Sequence, residues 1–187
     1  MSMPGMPDLS SWEPPKPPGV RELNLGDLWR ARWVEGEPLP RGVLVDRLYG
    51  VVLLDSKGYV SRARGAEHWD TLEGTPADGE KPEAFLKKLA RAHVGADATV
   101  IELIGYLDCR ATSHNPAVPA GTAAVRGFYT MAARKVATSP GDPGFERRRL
   151  PLNEFMQALR QRYPEFEEYF GKAVERYVIL RARNEAP

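Results

Sequence analysis

One cysteine, Cys109, is all the thiol in the 187 residues, so no intramolecular disulfide and no cysteine-cluster metal site can form. Histidine is nearly as scarce. His68, His93 and His114 are the only three, none a helical turn from another, and no zinc-binding spacing can be written with them. Surplus charge is missing too: 26 Lys and Arg against 25 Asp and Glu leave a formal charge of +1, which gives no overall field to hold a polyanion. Nucleic acid is therefore not an expected partner. Apolar stretches such as Val51 to Leu54 and Val178 to Leu180 fall far short of the roughly 20 residues a membrane helix needs, so no membrane partner is expected. Met1 to Val20 shows no basic segment followed by an apolar core, and a cytoplasmic location is the expectation.

What the chain does contain is an ordinary globular mix, 42% hydrophobic and 27% charged, in a length that suits one domain of usual size. Proline is unevenly placed. Six of the 17 prolines lie in the first 18 residues, each removing a backbone donor and biasing its predecessor against helix. This divides the chain into a proline-rich, flexible arm over 1–22 and a single domain over 23–187.

From Leu23 to Val34 the periodicity is mixed, compatible with a short helix or with a strand covering a sheet edge. Between Gly42 and Arg64 the residues alternate and are β-branched, and Asp55-Ser56-Lys57-Gly58 reads as the turn of a hairpin. Trp69 to Glu73 supplies one further short strand. A loop over 74–80 leads to a helix over Lys81 to Val94, opened by Pro82 and stopped by Gly95, with Phe85, Leu86, Leu89, Ala90 and His93 on one side. Strands are expected at Thr99 to Cys109, Thr122 to Val136 and Glu146 to Leu150, then helices at Leu152 to Arg160 and Pro164 to Arg183. Strands around an internal helix, closed by terminal helices, make an α/β layered domain.

The order hairpin, Trp69, glycine-bearing loop, Glu80, helix and Gly95 resembles the Nudix hydrolase superfamily. Its box runs Gly, five residues, Glu, seven residues, then Arg-Glu-aliphatic-any-Glu-Glu-any-Gly. Gly74, Glu80 and Gly95 fit at that spacing, Lys88 takes the arginine position, Ala96 the aliphatic one that follows, and Trp69 a place where members often carry tryptophan. The resemblance implies a Nudix-like mixed β-sheet sandwiched between helices, with C-terminal helices added. The box is degenerate, however: its three further glutamates are replaced by Leu89, Ala92 and His93, and the glycine before Gly74 by Glu73. In the family those glutamates hold divalent ions, hard cations that prefer carboxylate oxygen and that activate water for diphosphate cleavage. Without them the resemblance implies no metal and no cofactor.

Glu83 points about 120 degrees from Leu89 on a helix and does not replace it. Glu102 and Asp108 share parity on a continuous strand and would face together. Glu80, His93, Glu102 and Asp108 are the candidate proton carriers if any catalysis exists. Arg62 and Arg64 share a strand face and suit a phosphate or carboxylate; with Leu89, Ala92 and His93 they are the candidate ligand-binding residues. Arg147-Arg148-Arg149 is the densest basic run, and alternation sends Arg148 to the face opposite its neighbours, as charge on an exposed edge. The expected function is a non-hydrolytic ligand-binding or regulatory module for a nucleotide-like or other small organic ligand. The alternatives are a Nudix-type enzyme, with displaced metal ligands or with metal-independent chemistry, and a scaffold that forms a homodimer through Tyr163 to Tyr177.

Overall fold

The computed structural model describes residues 22–187; the proline-rich segment lies outside them, apart from residue 22, which opens the first strand. The strands are β1 (Glu22–Leu25), β2 (Trp29–Glu35), β3 (Leu44–Leu54), β4 (Lys57–Ala63), β5 (Leu72–Gly74), β6 (Ala96–Ala111), β7 (Ala123–Val136) and β8 (Phe145–Pro151). The helices are α1 (Pro82–His93), α2 (Leu152–Arg162) and α3 (Glu167–Ala182), the last two linked by a 3-10 turn over Pro164–Phe166. All eight strands form one sheet in the order β1-β2-β6-β7-β3-β4-β8, with β5 pairing β3. Only β3 and β7 run parallel.

Alternation along the strands divides the core between two sides. Val52, Tyr59, Leu72, Tyr129 and Met131 face α1, whose Phe85, Leu86, Ala90 and Val94 form one stripe. Tyr49, Val51, Val60 and Phe128 face α2 and α3, which bring Phe155, Phe166, Phe170 and Tyr177. The mixed sheet is thus sandwiched between helices, as the sequence implied.

The Leu23 to Val34 segment resolves as two strands turning through Gly26 and Asp27, both in the left-handed region with φ of 60° and 59°. The hairpin between β3 and β4 is tighter than expected. Leu54 pairs with Lys57, leaving Asp55 and Ser56 as its two central residues, with φ of 50° and 57°. Gly58 is not a turn residue: it lies in β4, where a Cβ would overlap the buried ring of Phe155. Its lack of a side chain is what lets α2 dock on the sheet. From the other end α3 braces the turn, with the Arg181 guanidinium donating to Ser56 Oγ at 2.7 Å.

The second departure is in β6. Leu103 opposes Tyr129 and Gly105 opposes Phe128, so Ile104 is a bulge residue with no partner of its own on β7. One extra residue reverses the parity of everything after it. Glu102 therefore faces α3, whose Arg176 Nε donates to its Oε1 at 2.7 Å. Asp108 lies on the opposite face, directly across from Arg32 and bonded to it at 3.3 Å. The expectation that Glu102 and Asp108 face together is corrected by this bulge.

Candidate functional site

The box-like segment begins at Gly74, the last residue of β5. A Cβ there would sit 2.8 Å from Phe85 Cζ and 3.8 Å from Leu89 Cδ2, so the glycine allows α1 to lie close over the strand. Pro82 opens α1 at its first turn, where a missing N–H costs nothing, and Glu83 sits at the positive end of the helix dipole. Glu80 and Lys88 clasp the loop to the helix, with Lys88 Nζ donating to both carboxylate oxygens at 2.9 and 3.2 Å. Gly95 ends the helix with φ of +76°.

The three positions that lack glutamate are each partly buried. Leu89 packs into the α1-side core. Beyond it, the connection between β7 and β8 folds onto the end of the helix: Gly141 N–H donates to Arg91 O and Asp142 N–H to Ala92 O, each at 2.9 Å. His93 is half-buried and stacks on Phe145, ring centroids 3.7 Å apart and 14° from parallel. Burial pushes its imidazole below the usual range, only partly opposed by the Asp142 carboxylate, so it stands neutral near pH 7. Arg147 locks the closure, its guanidinium donating to Val94 O and Ala137 O.

A hard divalent cation wants several carboxylate oxygens. Here its seat would be lined by a leucine, an alanine methyl and an imidazole already stacked on a phenyl ring. The residues present do not fit it. Among the described residues no group of three or more His, Cys, Asp or Glu side chains is placed to hold a metal ion.

The four candidate proton carriers are dispersed. Glu80 is engaged by Lys88 at the start of α1 and His93 lies at its end; Glu102 is held by Arg176 and Asp108 by Arg32 and Arg110. Of the candidate ligand-binding residues, Arg62 donates to Glu146 Oε1 at 2.6 Å and Arg64 to Pro143 O at 2.8 Å. Arg64 thus meets the connection that also bonds Ala92 and leads into Phe145, which stacks on His93, whereas Arg62 lies over Trp69.

Beside the box loop there is nonetheless a cleft of about 520 Å³, between Val43-Leu44-Val45 on one side and Pro76-Ala77 on the other. Asp78 and Glu80 are its charged members, and among the described residues no lysine or arginine lines it. Leu44 is 49% exposed at its rim.

Sequence reasoning missed a polar network on the other face of the sheet. Asp46, the irregular residue of β3, accepts from Arg126 Nε at 2.7 Å, with side chains only 27% and 17% exposed. Beside them burial lifts the Tyr49 hydroxyl to about 12 and raises the Glu73 carboxyl above the usual carboxylate range, against the pull of nearby arginines. Asp70 accepts from Arg162 Nε at 2.6 Å and from the Tyr163 hydroxyl at 3.3 Å. Pairs this distant in sequence leave no local pattern to detect.

No protein-family model and no curated protein sequence matches the chain. Solved structures do. A mutant form of the Bacillus subtilis pyrophosphohydrolase BsRppH superposes with a TM-score of 0.53 at 9% identity, covering 70% of this chain and 77% of that one. The Nudix domain of Shewanella oneidensis NrtR, solved as a complex with ADP ribose, matches with a TM-score of 0.48 at 14% identity, covering 76% and 94%. The eight-stranded mixed sheet, the helix set after β5 and the pyrophosphohydrolase likeness agree: this chain has the Nudix fold.

Proposed function

We propose that this chain is a binding module built on the Nudix fold, one that holds a small organic ligand without hydrolysing it. The observation that carries this reading is that the box positions on α1 hold Leu89, packed against the core, Ala92, whose carbonyl is bonded by the β7–β8 connection, and His93, stacked on Phe145. Hydrolysis of a diphosphate needs an ion to polarise phosphoryl oxygen and activate water, and this face offers no carboxylate to hold one. The cleft beside the box loop is the place for the ligand. Its aliphatic walls, with Asp78 and a Glu80 already held by Lys88, suit an uncharged organic molecule better than a diphosphate, which Asp78 would repel.

The test is calorimetric titration with Mg²⁺ and Mn²⁺, followed by phosphate detection over a panel of nucleoside diphosphate derivatives. No saturable metal binding and no metal-dependent phosphate release are expected. Robust release by the natural protein would overturn the reading. Leu44→Asp, at the exposed rim, is expected to weaken retention of uncharged ligands found by screening.

A further inference from the structure

We propose a second binding site, for a small organic anion, in the pocket between Trp69 and α2. It lies on the α2 side of the sheet, across from the box-side cleft, and does not depend on what that cleft binds.

The site is assembled by register. In the β4–β8 pair, Val60 opposes Arg148, Arg62 opposes Glu146 and Gly58 opposes Leu150, which puts Val60, Arg62, Arg148 and Leu150 on one face. Val60 and Leu150 belong to the core under α2, so this is the helix-covered face. Trp69 lies over it: the Arg62 guanidinium is 4.3 Å and the Arg148 guanidinium 4.4 Å from its ring. Between this indole and α2 is an open pocket of about 390 Å³, walled by Val60, Leu150 and Ala158 and edged by Arg148, Arg162 and Gln161 and by the exposed Glu67 and His68. That volume is within the range, roughly 300–1,000 Å³, that small-molecule sites occupy.

The one carboxylate in the lining, Glu67, lies 3.7 Å from His68 Nε2 and is not paired with Arg148. Arg62 is neutralised by Glu146 and Arg162 by Asp70, each pair at 2.6 Å. Arg148 has no carboxylate partner among the described residues; its contact is the Trp69 ring. An arginine that only protects an edge strand from aggregation is best turned outward into water. Arg148 is exposed on edge strand β8, yet its guanidinium is laid on an indole at the mouth of the pocket. A guanidinium stacked through its face keeps its N–H edge free for a two-point contact with carboxylate or phosphate. The ligand is therefore a carboxylate or phosphate on a ring-bearing or aliphatic body, with its head on Arg148 and its body against Trp69, Val60, Leu150 and Ala158.

The experiment follows the Trp69 indole N–H in ¹⁵N spectra of the full chain, assigned with Trp69→Phe, while probes are added to about 10 mM, weak enough to detect a millimolar complex. The probes are adenosine monophosphate, indole-3-acetate, adenosine, tryptamine and inorganic phosphate. At least one of the first two is expected to shift the resonance saturably, at least about tenfold more tightly than its uncharged or cationic analogue and than phosphate alone. A response to the first only identifies a phosphate head, and to the second only a carboxylate. Arg148→Gln is expected to lose at least about tenfold in affinity and Arg149→Gln, on the other face, to lose none. Ala158→Met, which fills the cavity and removes no charge, should abolish binding. The proposal is overturned if neither organic anion shifts Trp69, if charged and uncharged probes bind alike, if phosphate alone binds as well as the whole probe, or if the two arginine variants behave the same.

Discussion

Restoring the box by the triple change Leu89→Glu, Ala92→Glu and His93→Glu would put carboxylates at i, i+3 and i+4, on one helical face. In this structure that face is occupied. Leu89 is half-buried, so losing its apolar contact costs roughly 1 kcal/mol, and a carboxylate in its place costs about 1–3 kcal/mol in desolvation. The His93–Phe145 stack is worth about 0.5–1.5 kcal/mol. Ala92 is partly buried, and its carbonyl oxygen accepts from Asp142 N–H of the connection at 2.9 Å. A loss of about 4 kcal/mol follows, which for a domain of this size is a fall of about 8–16 °C in melting temperature. Thermal unfolding followed by circular dichroism, with and without Mg²⁺, measures it. A fall of less than about 4 °C would show that the face has room after all. A Mg²⁺-dependent rise of several degrees in the triple variant, as mass action demands for an ion bound to the native state, would show that the backbone still presents a metal seat. Either result refutes the reasoning that the connection has closed the site.

Because burial lowers the His93 pKa, the unfolded chain binds its proton more readily than the folded one. The resulting stabilisation is present above the ordinary histidine value of about 6.5 and is lost as pH falls through it. Melting curves between about pH 7.5 and 5.5 should therefore decline less steeply for His93→Phe, which keeps the ring stack, than for the natural chain. Gly58→Ala forces a methyl into the ring of Phe155 and should cost about 1–3 kcal/mol by denaturant titration. Phe155→Leu in the same chain should recover part of that cost, so the two changes will not add. Arg147→Ala removes the hydrogen bonds that join β8 to the end of α1 and should cost about 2 kcal/mol, with faster amide exchange over 137–144 as its local signature. Deleting residues 1–21, where prolines leave few backbone donors, should move the melting temperature by less than about 4 °C.

Features set by near neighbours were legible in the sequence. The stripe of Phe85, Leu86 and Ala90, the proline at the start of α1 and the glycine after it fix a helix within a dozen residues, because each acts over one turn. The same holds for the turn at Asp55 and Ser56 and for the terminal helices. The substitution of Leu89, Ala92 and His93 for box glutamates was likewise plain from spacing alone. What tertiary structure decided lies at positions where distant segments meet. The bulge at Ile104, a single residue out of register, separates Glu102 from Asp108 although their sequence parity is the same. Gly58 reads as a turn residue until Phe155, almost a hundred positions later, claims the space beside it. Arg62 and Arg64 look alike on one strand, yet one is taken by Glu146 and an indole and the other by Pro143 O. Arg148, in the middle of a run of three arginines, is exposed on the edge strand as alternation implies, but its stacking on Trp69 depends on a contact no local pattern encodes. Propensity and periodicity act within a few residues, whereas register, closure of a loop over a helix and charge pairing depend on contacts that no local pattern encodes.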